Sequence, residues 1–129
     1  MGVDYKKVIV TGSAGFIGFH LAKRLLNEGV EVCGIDGLTN YYDVALKKDR
    51  NRALEKNNKY SFENIMLENK GALMKVCLDF NPDIIIHLAA QAGVRYSIEN
   101  PQSYMDSNLQ GTLNLLEALR VLNCIYFLT

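Results

Sequence analysis

Residues 8–18 read Val8-Ile9-Val10-Thr11-Gly12-Ser13-Ala14-Gly15-Phe16-Ile17-Gly18. A short apolar run enters a glycine-rich turn, and an amphipathic helical pattern follows. Glycine lets the backbone turn tightly and lets a pyrophosphate approach with no Cβ in the way. The helix that follows presents free N–H groups and the positive end of its dipole. Gly12, Gly15 and Gly18 are evenly spaced, unlike the usual G-x-G-x-x-G. A glycine-rich turn alone is weak evidence; between a strand and a helix it has the context that a dinucleotide cradle requires. The N–H groups near Phe16 and Ile17 are expected to face the pyrophosphate, with Gly18 letting the helix pack close to the sheet.

Outward from this turn, strands and helices alternate. The spacing predicts a helix over 16–28, with Ile17, Leu21 and Leu25 as its apolar stripe and Gly29 as its stop. A second strand follows at 30–35, a charged helix at 43–55 and a third strand at 60–67. A short helix is expected at 71–80 and a fourth strand, apolar on both faces, at 84–88. Asn100-Pro101 reads as a helix cap and first helical residue. That helix is predicted to reach about 122, burying Leu109, Leu113 and Leu116. Residues 125–128 open a fifth strand. The alternation predicts an α/β fold: a Rossmann-type parallel sheet with helices on both faces, order 3-2-1-4-5. The cofactor is expected at the carboxyl ends of the strands, and the chain ends in or after strand 5.

The chain has 129 residues, 49% of them hydrophobic, with 14 basic and 14 acidic side chains. That is one domain's worth of chain with a real core. Zero net charge and the lack of a basic run argue against nucleic acid or a membrane surface as partner. The longest apolar stretch, 84–90, is too short to span a bilayer. Cys33, Cys77 and Cys124 are scattered singly, with no Cys/His ligand spacing, so no metal site is expected. They read as small core residues in a reducing cytoplasm. No signal peptide is visible, and Lys7 disagrees with a myristoylation motif at Gly2.

Asp36 ends the second strand, 18 residues after Gly18. There an acid accepts hydrogen bonds from the adenosine ribose; a turn-forming aspartate before Gly37 is the alternative reading. A carboxylate repels a 2′-phosphate and no arginine follows closely, so NAD is expected over NADP. His87, between Ile86 and Leu88, reads as a buried, hydrogen-bonded strand residue, and His20 as a structural residue of the first helix.

The strings TGSAGFIG (11–18), GIDGLTNYYD (34–43), IIIHLAAQAGVRYSIENP (84–101) and SNLQGTLNLLEA (107–118) span nearly the whole chain. It resembles the extended short-chain dehydrogenase/reductases, within them the nucleotide-sugar epimerases and dehydratases, and most nearly the UDP-glucuronate 4-epimerase branch of capsule and cell-wall polysaccharide synthesis. The resemblance implies NAD held by Gly12, Gly15, Phe16, Ile17, Gly18, Asp36, Asn40, Leu67, Leu88, Ala89, Ala90, Gln91 and Asn108. It implies Arg95, Tyr96 and Ser97 as the loop facing the sugar nucleotide. Plainer readings stand beside these: Ala89-Ala90 as small residues permitting helix–sheet contact, Asn108 as partner of a buried backbone group, and Arg95 as a solvated charge.

Two departures matter. Relatives usually carry an aspartate after the third strand that accepts from the adenine amino group; the matching residue here is Met66, a poor acceptor. Binding is expected to weaken by about 1 kcal/mol and Met66→Asp to tighten it, with Glu68, two residues along, as a substitute acceptor. The family's reaction also needs a Ser/Thr, a tyrosine base and a lysine four residues later. Tyr42 has Leu46 at that spacing and Tyr5 has Ile9. The catalytic residues and the substrate domain are therefore expected beyond Thr129. The chain is expected to be an N-terminal part of a cytoplasmic enzyme, inactive alone. The whole enzyme would convert UDP-glucuronate to UDP-galacturonate by transient oxidation at C4, as a homo-oligomer. Rival readings are another epimerase or a 4,6-dehydratase, and a non-catalytic NAD-binding or interaction module.

Overall fold

Branched apolar side chains suit a strand packed on both faces. Val8, Ile9, Val10 and Ile85 are fully buried in the centre of the sheet. The computed structural model describes residues 5–38, 44–90, 98–122, 124 and 126–128. Its strands are β1 (Lys7–Thr11), β2 (Glu31–Ile35), β3 (Tyr60–Glu63), β4 (Ile84–His87) and β5 (Tyr126–Leu128). Helices α1 (Phe16–Asn27), α2 (Val44–Glu55) and α3 (Lys70–Phe80) connect the first four. Between β4 and β5 run α4 (Pro101–Tyr104), a π turn (Met105–Gln110) and α5 (Gly111–Leu119).

The sheet is parallel throughout, in the order β3-β2-β1-β4-β5, as the alternation predicts. Successive strand side chains point to opposite faces. Val8 and Val10 therefore join Ala22, Leu25 and Leu26 of α1 and Leu54 of α2 on one face. Ile9, Cys33, Ile35 and Ile85 join Leu73 and Cys77 of α3 and Leu115 and Ala118 of α5 on the other. At the amino edge, Asp83 Oδ2 accepts from the Lys6 and Lys7 N–H groups at 2.8 and 2.9 Å, tying the turn before β4 to β1.

Three expectations are corrected. The third strand ends at Glu63 rather than near 67. It pairs only with β2, and the last paired residues are Ile35 and Glu63, so no ladder partner remains beyond. Residues 66–69 instead form a turn closed by Asn69 N–H on the Met66 carbonyl at 3.0 Å.

The helix after Pro101 is not continuous. The Gly111 N–H bonds the Asp106 carbonyl, five residues back, and Thr112 Oγ1 takes the Asn108 carbonyl at 2.7 Å. A side chain that claims a backbone acceptor opens the helical ladder locally.

The buried stripes also differ. Leu109, Leu113 and Leu116 are exposed, and α5 buries Gly111, Asn114, Leu115 and Ala118. In α1 the predicted stripe holds at Leu25, which is buried, and at Leu21, which packs against the core; Ile17 is exposed, and Gly18, Ala22 and Leu26 complete the inward face. In α5 a face holding glycine and alanine approaches the sheet more closely than a leucine face could.

Candidate functional site

The chain leaves β1 at Thr11 and turns at Gly12, whose φ of +76° lies in the region glycine favours. The Gly15 N–H closes the turn on the Gly12 carbonyl at 3.0 Å. Two glycines here are dictated by space. A Cβ on Gly12 would meet the Ala89 nitrogen at 2.9 Å, and one on Gly18 would strike the Gly12 carbonyl. The start of α1 thus lies directly on the turn. No side chain caps that start, and no acidic residue occupies its first turn. Its first N–H groups and dipole end are left to an anion.

Asp36 follows β2 and is nearly buried, 9% exposed. Its Oδ2 accepts from the Ala14 N–H at 3.1 Å and its Oδ1 from the Leu38 N–H at 2.8 Å. These bonds fix the carboxylate beside the glycine turn. Two carboxylate oxygens offer about four acceptor directions, so capacity for ligand hydroxyls remains.

Beneath the turn lies a buried polar chain. Thr112 has one hydroxyl proton, and it goes to the Asn108 carbonyl. The 2.9 Å contact between Thr112 Oγ1 and His87 Nε2 therefore uses a proton on Nε2. Nδ1 is then bare and accepts from the Thr11 hydroxyl at 2.7 Å. Thr11 Oγ1 in turn accepts from the Leu88 and Ala89 N–H groups at 3.0 and 3.1 Å. The tautomer follows from this proton count. Burial holds the His87 pKa below its ordinary value, favouring the neutral ring. His87 is thus the buried, hydrogen-bonded strand residue the sequence suggests, and it positions Leu88 and Ala89. His20 makes edge contacts with the Phe16 and Phe19 rings on α1.

These elements border a cleft of about 600 Å³ at the carboxyl ends of the strands. Gly12, Gly15, Phe16, Ile17, Gly18, Asp36, Leu67, Leu88, Ala89 and Ala90 all line it. Asn108 does not; it lies on the π turn, joined through Thr112 to His87. Asn40, Gln91, Arg95, Tyr96 and Ser97 lie outside the described residues.

The cleft also holds Lys47 and Arg50, which the sequence reading did not single out. Arg50 Nη1 donates to the Ala14 carbonyl at 3.1 Å, and its guanidinium lies 6.0 Å from the Phe16 ring centre. Their spacing of three residues on a charged helix was visible. The direction that face takes depends on how α2 docks.

The described cysteines are free thiols. Burial pushes Cys33 up to about 11 and Cys77 up to about 12, so neither is poised as a nucleophile. Among the described residues no group of three His, Cys, Asp or Glu could hold a metal ion. No helix among them is long and apolar enough to cross a membrane.

The profile of the family described as GDP-mannose 4,6 dehydratase matches residues 9–128. A probable UDP-glucuronate 4-epimerase of Rhizobium meliloti is 51% identical over 116 residues, covering 90% of this chain and 34% of that protein. Protein CapI of Staphylococcus aureus is 50% identical over 117 residues, covering 91% and 35%. The chain thus spans about a third of the length of these relatives. Among solved structures, the UDP-glucuronic acid 4-epimerase of Bacillus cereus in complex with UDP-glucuronic acid and NAD superimposes with a TM-score of 0.85. It is 37% identical, and the match covers 94% of this chain and 38% of that one. The profile match spans nearly the whole chain and places it in a family: it belongs to the one described as GDP-mannose 4,6 dehydratase.

Proposed function

We propose that this chain is the NAD-binding part of a nucleotide-sugar 4-epimerase whose whole form converts UDP-glucuronate to UDP-galacturonate. The observation that carries the binding half is the single cleft joining an uncapped helix start, two space-limited glycines and a fixed carboxylate. The first suits a pyrophosphate and the last a ribose diol. The cleft residues fit NAD on chemistry as well: donors where the ligand is anionic, an acceptor where it has hydroxyls.

When bound, NAD supplies the hydride acceptor for the sugar C4. The chain's own residues bind and orient. The α1 N–H groups hold the pyrophosphate, Asp36 takes the ribose hydroxyls and disfavours a 2′-phosphate, and Leu88, Ala89 and Ala90 bear on the ligand from the β4 side. In this reading Asn40, Gln91 and Asn108 complete the cofactor side, and Arg95, Tyr96 and Ser97 face the UDP-sugar. The reacting groups, a Ser/Thr and a Tyr-xxx-Lys pair, are supplied by the remainder of the enzyme, and this chain alone does not turn over. The enzyme works in the cytoplasm in polysaccharide synthesis. It is a homo-oligomer, supported by the exposed apolar row Met105, Leu109, Leu113 and Leu116.

Calorimetric titration of the chain with NAD and NADP tests the binding half; equal affinity for the two would overturn the role of Asp36. For the whole enzyme, proton NMR with UDP-glucuronate is expected to show UDP-galacturonate accumulating. The family's description favours a second reading, a 4,6-dehydratase. A dehydrated 4-keto product in the same assay would select it.

A further inference from the structure

The glycine turn is held from β2, β3 and α2 together. The Gly12 N–H bonds the Ile35 carbonyl at 2.7 Å. The Ala14 N–H bonds Asp36, and the Ala14 carbonyl accepts from Arg50 of α2. Ser13 lies between the two and is fully buried. Its hydroxyl meets that of Tyr60, on β3, at 3.4 Å. The Tyr60 hydroxyl also bonds Asn51, the residue after Arg50 on α2, at 2.8 Å. Tyr60 and Asn51 are buried as well.

The protons of this chain run one way. Asn51 Nδ2 donates to the Glu55 carboxylate at 2.6 Å, which leaves Asn51 Oδ1 as the acceptor facing Tyr60. The single Tyr60 proton goes there. Burial raises the Tyr60 pKa well above its ordinary value, so that proton stays in place. The longer contact then uses the Ser13 proton, with the Tyr60 oxygen accepting. The two hydroxyls meet over Gly34 of β2, where a Cβ would strike both.

The Tyr60 ring packs among Val8, Leu25 and Leu54, a place phenylalanine would fill equally well. The hydroxyl is therefore what needs a reason. Ser13, Asn51 and Tyr60 do not line the cleft, so they act on a ligand only through the turn. Gly12 and Gly15 give that turn conformational freedom, which an anion would have to remove on binding. A turn already fixed spares the ligand that cost.

We propose that Tyr60 is a positioning residue for the cofactor: through Ser13 and Asn51 it locks the glycine turn to α2 and presets the α1 N–H groups for the pyrophosphate. This rests on the reading of the cleft as an NAD site.

The test titrates this chain, followed by NMR, with NAD and with adenosine, which lacks the pyrophosphate. Tyr60→Phe keeps the ring and leaves the lining and charge of the cleft unchanged. It is expected to weaken NAD roughly 5- to 30-fold, the worth of fixing one residue's backbone, and to change adenosine by less than about twofold. It also orphans the Ser13 hydroxyl and Asn51 Oδ1, so the urea midpoint falls. Adding Ser13→Ala and Asn51→Leu removes those orphans. The midpoint is then expected to recover while NAD binding stays weak, which separates positioning from stability. NAD affinity that is unchanged in Tyr60→Phe, that falls in step with adenosine, or that recovers with the midpoint would overturn the role of Tyr60 and leave the NAD reading standing. A wild-type chain that binds NAD no more tightly than adenosine, or binds neither, would overturn both.

Discussion

Thr11→Val tests the buried chain beneath the glycine turn. Valine nearly matches threonine in shape, and Thr11 is fully buried, so the change removes hydrogen bonds without opening a cavity. The Leu88 N–H keeps the Thr11 carbonyl at 3.2 Å. The Ala89 N–H and His87 Nδ1 both lose their partner. Two groups left unpaired at about 1–3 kcal/mol each give an expected loss of roughly 2–6 kcal/mol. Domains of this size have only about 5–15 kcal/mol in total, so the effect is large. Urea unfolding reads it as a lower midpoint at unchanged slope. Adding His87→Leu removes one of the two orphans. The double variant should therefore lose less than the two single changes together. A Thr11→Val loss of about 0.5 kcal/mol or less at unchanged slope would refute the network, because that is the size of an ordinary neutral substitution.

Further outcomes follow from the same geometry. His87 is held neutral by burial, so the unfolded chain binds its proton more readily. Its contribution is full above the ordinary value of 6.5 and is lost as pH falls from there toward the lowered native value. His87→Gln should flatten unfolding midpoints across that window, and an unchanged profile would refute a neutral His87. Asp36→Asn keeps the shape but removes the charge; calorimetry should show NAD weakened roughly tenfold and the preference over NADP reduced. Leu109→Glu with Leu113→Glu charges the exposed row on the π turn and α5. Sedimentation velocity should then show a smaller species than wild type, and an unchanged distribution would remove that row as a contact between copies.

The strand–turn–helix reading of residues 8–18 carried far because every level of it agrees. Branched residues suit the strand, Gly12 takes a left-handed φ, and Gly18 permits a contact no other residue allows. Asp36 was legible for a similar reason, since a strand end at that distance from the turn falls in one place in a parallel sheet. Glu68 was named only as a substitute acceptor, and Lys47 and Arg50 were not singled out. They reach the cleft through the docking of α2 and through the turn at 66–69. Both are set by contacts between residues distant in sequence, such as Arg50 on Ala14 and Asn114 on Leu67.

The amino-acid order alone was enough for the α/β alternation, the parallel sheet and the place of the glycine turn. Each follows from local periodicity and from glycine's lack of a side chain. Which face of α5 turns inward was settled by packing. The helix carries two interleaved apolar stripes, one of leucine and one richer in glycine and alanine. Periodicity favours the bulkier stripe. Close packing favours the other, because small residues let the helix reach the sheet and fill it at crystal-like density. The outcome leaves Leu109, Leu113 and Leu116 facing outward. It also brings Gly111 and Asn114 against Leu67, which seats the turn that presents Glu68 to the cleft.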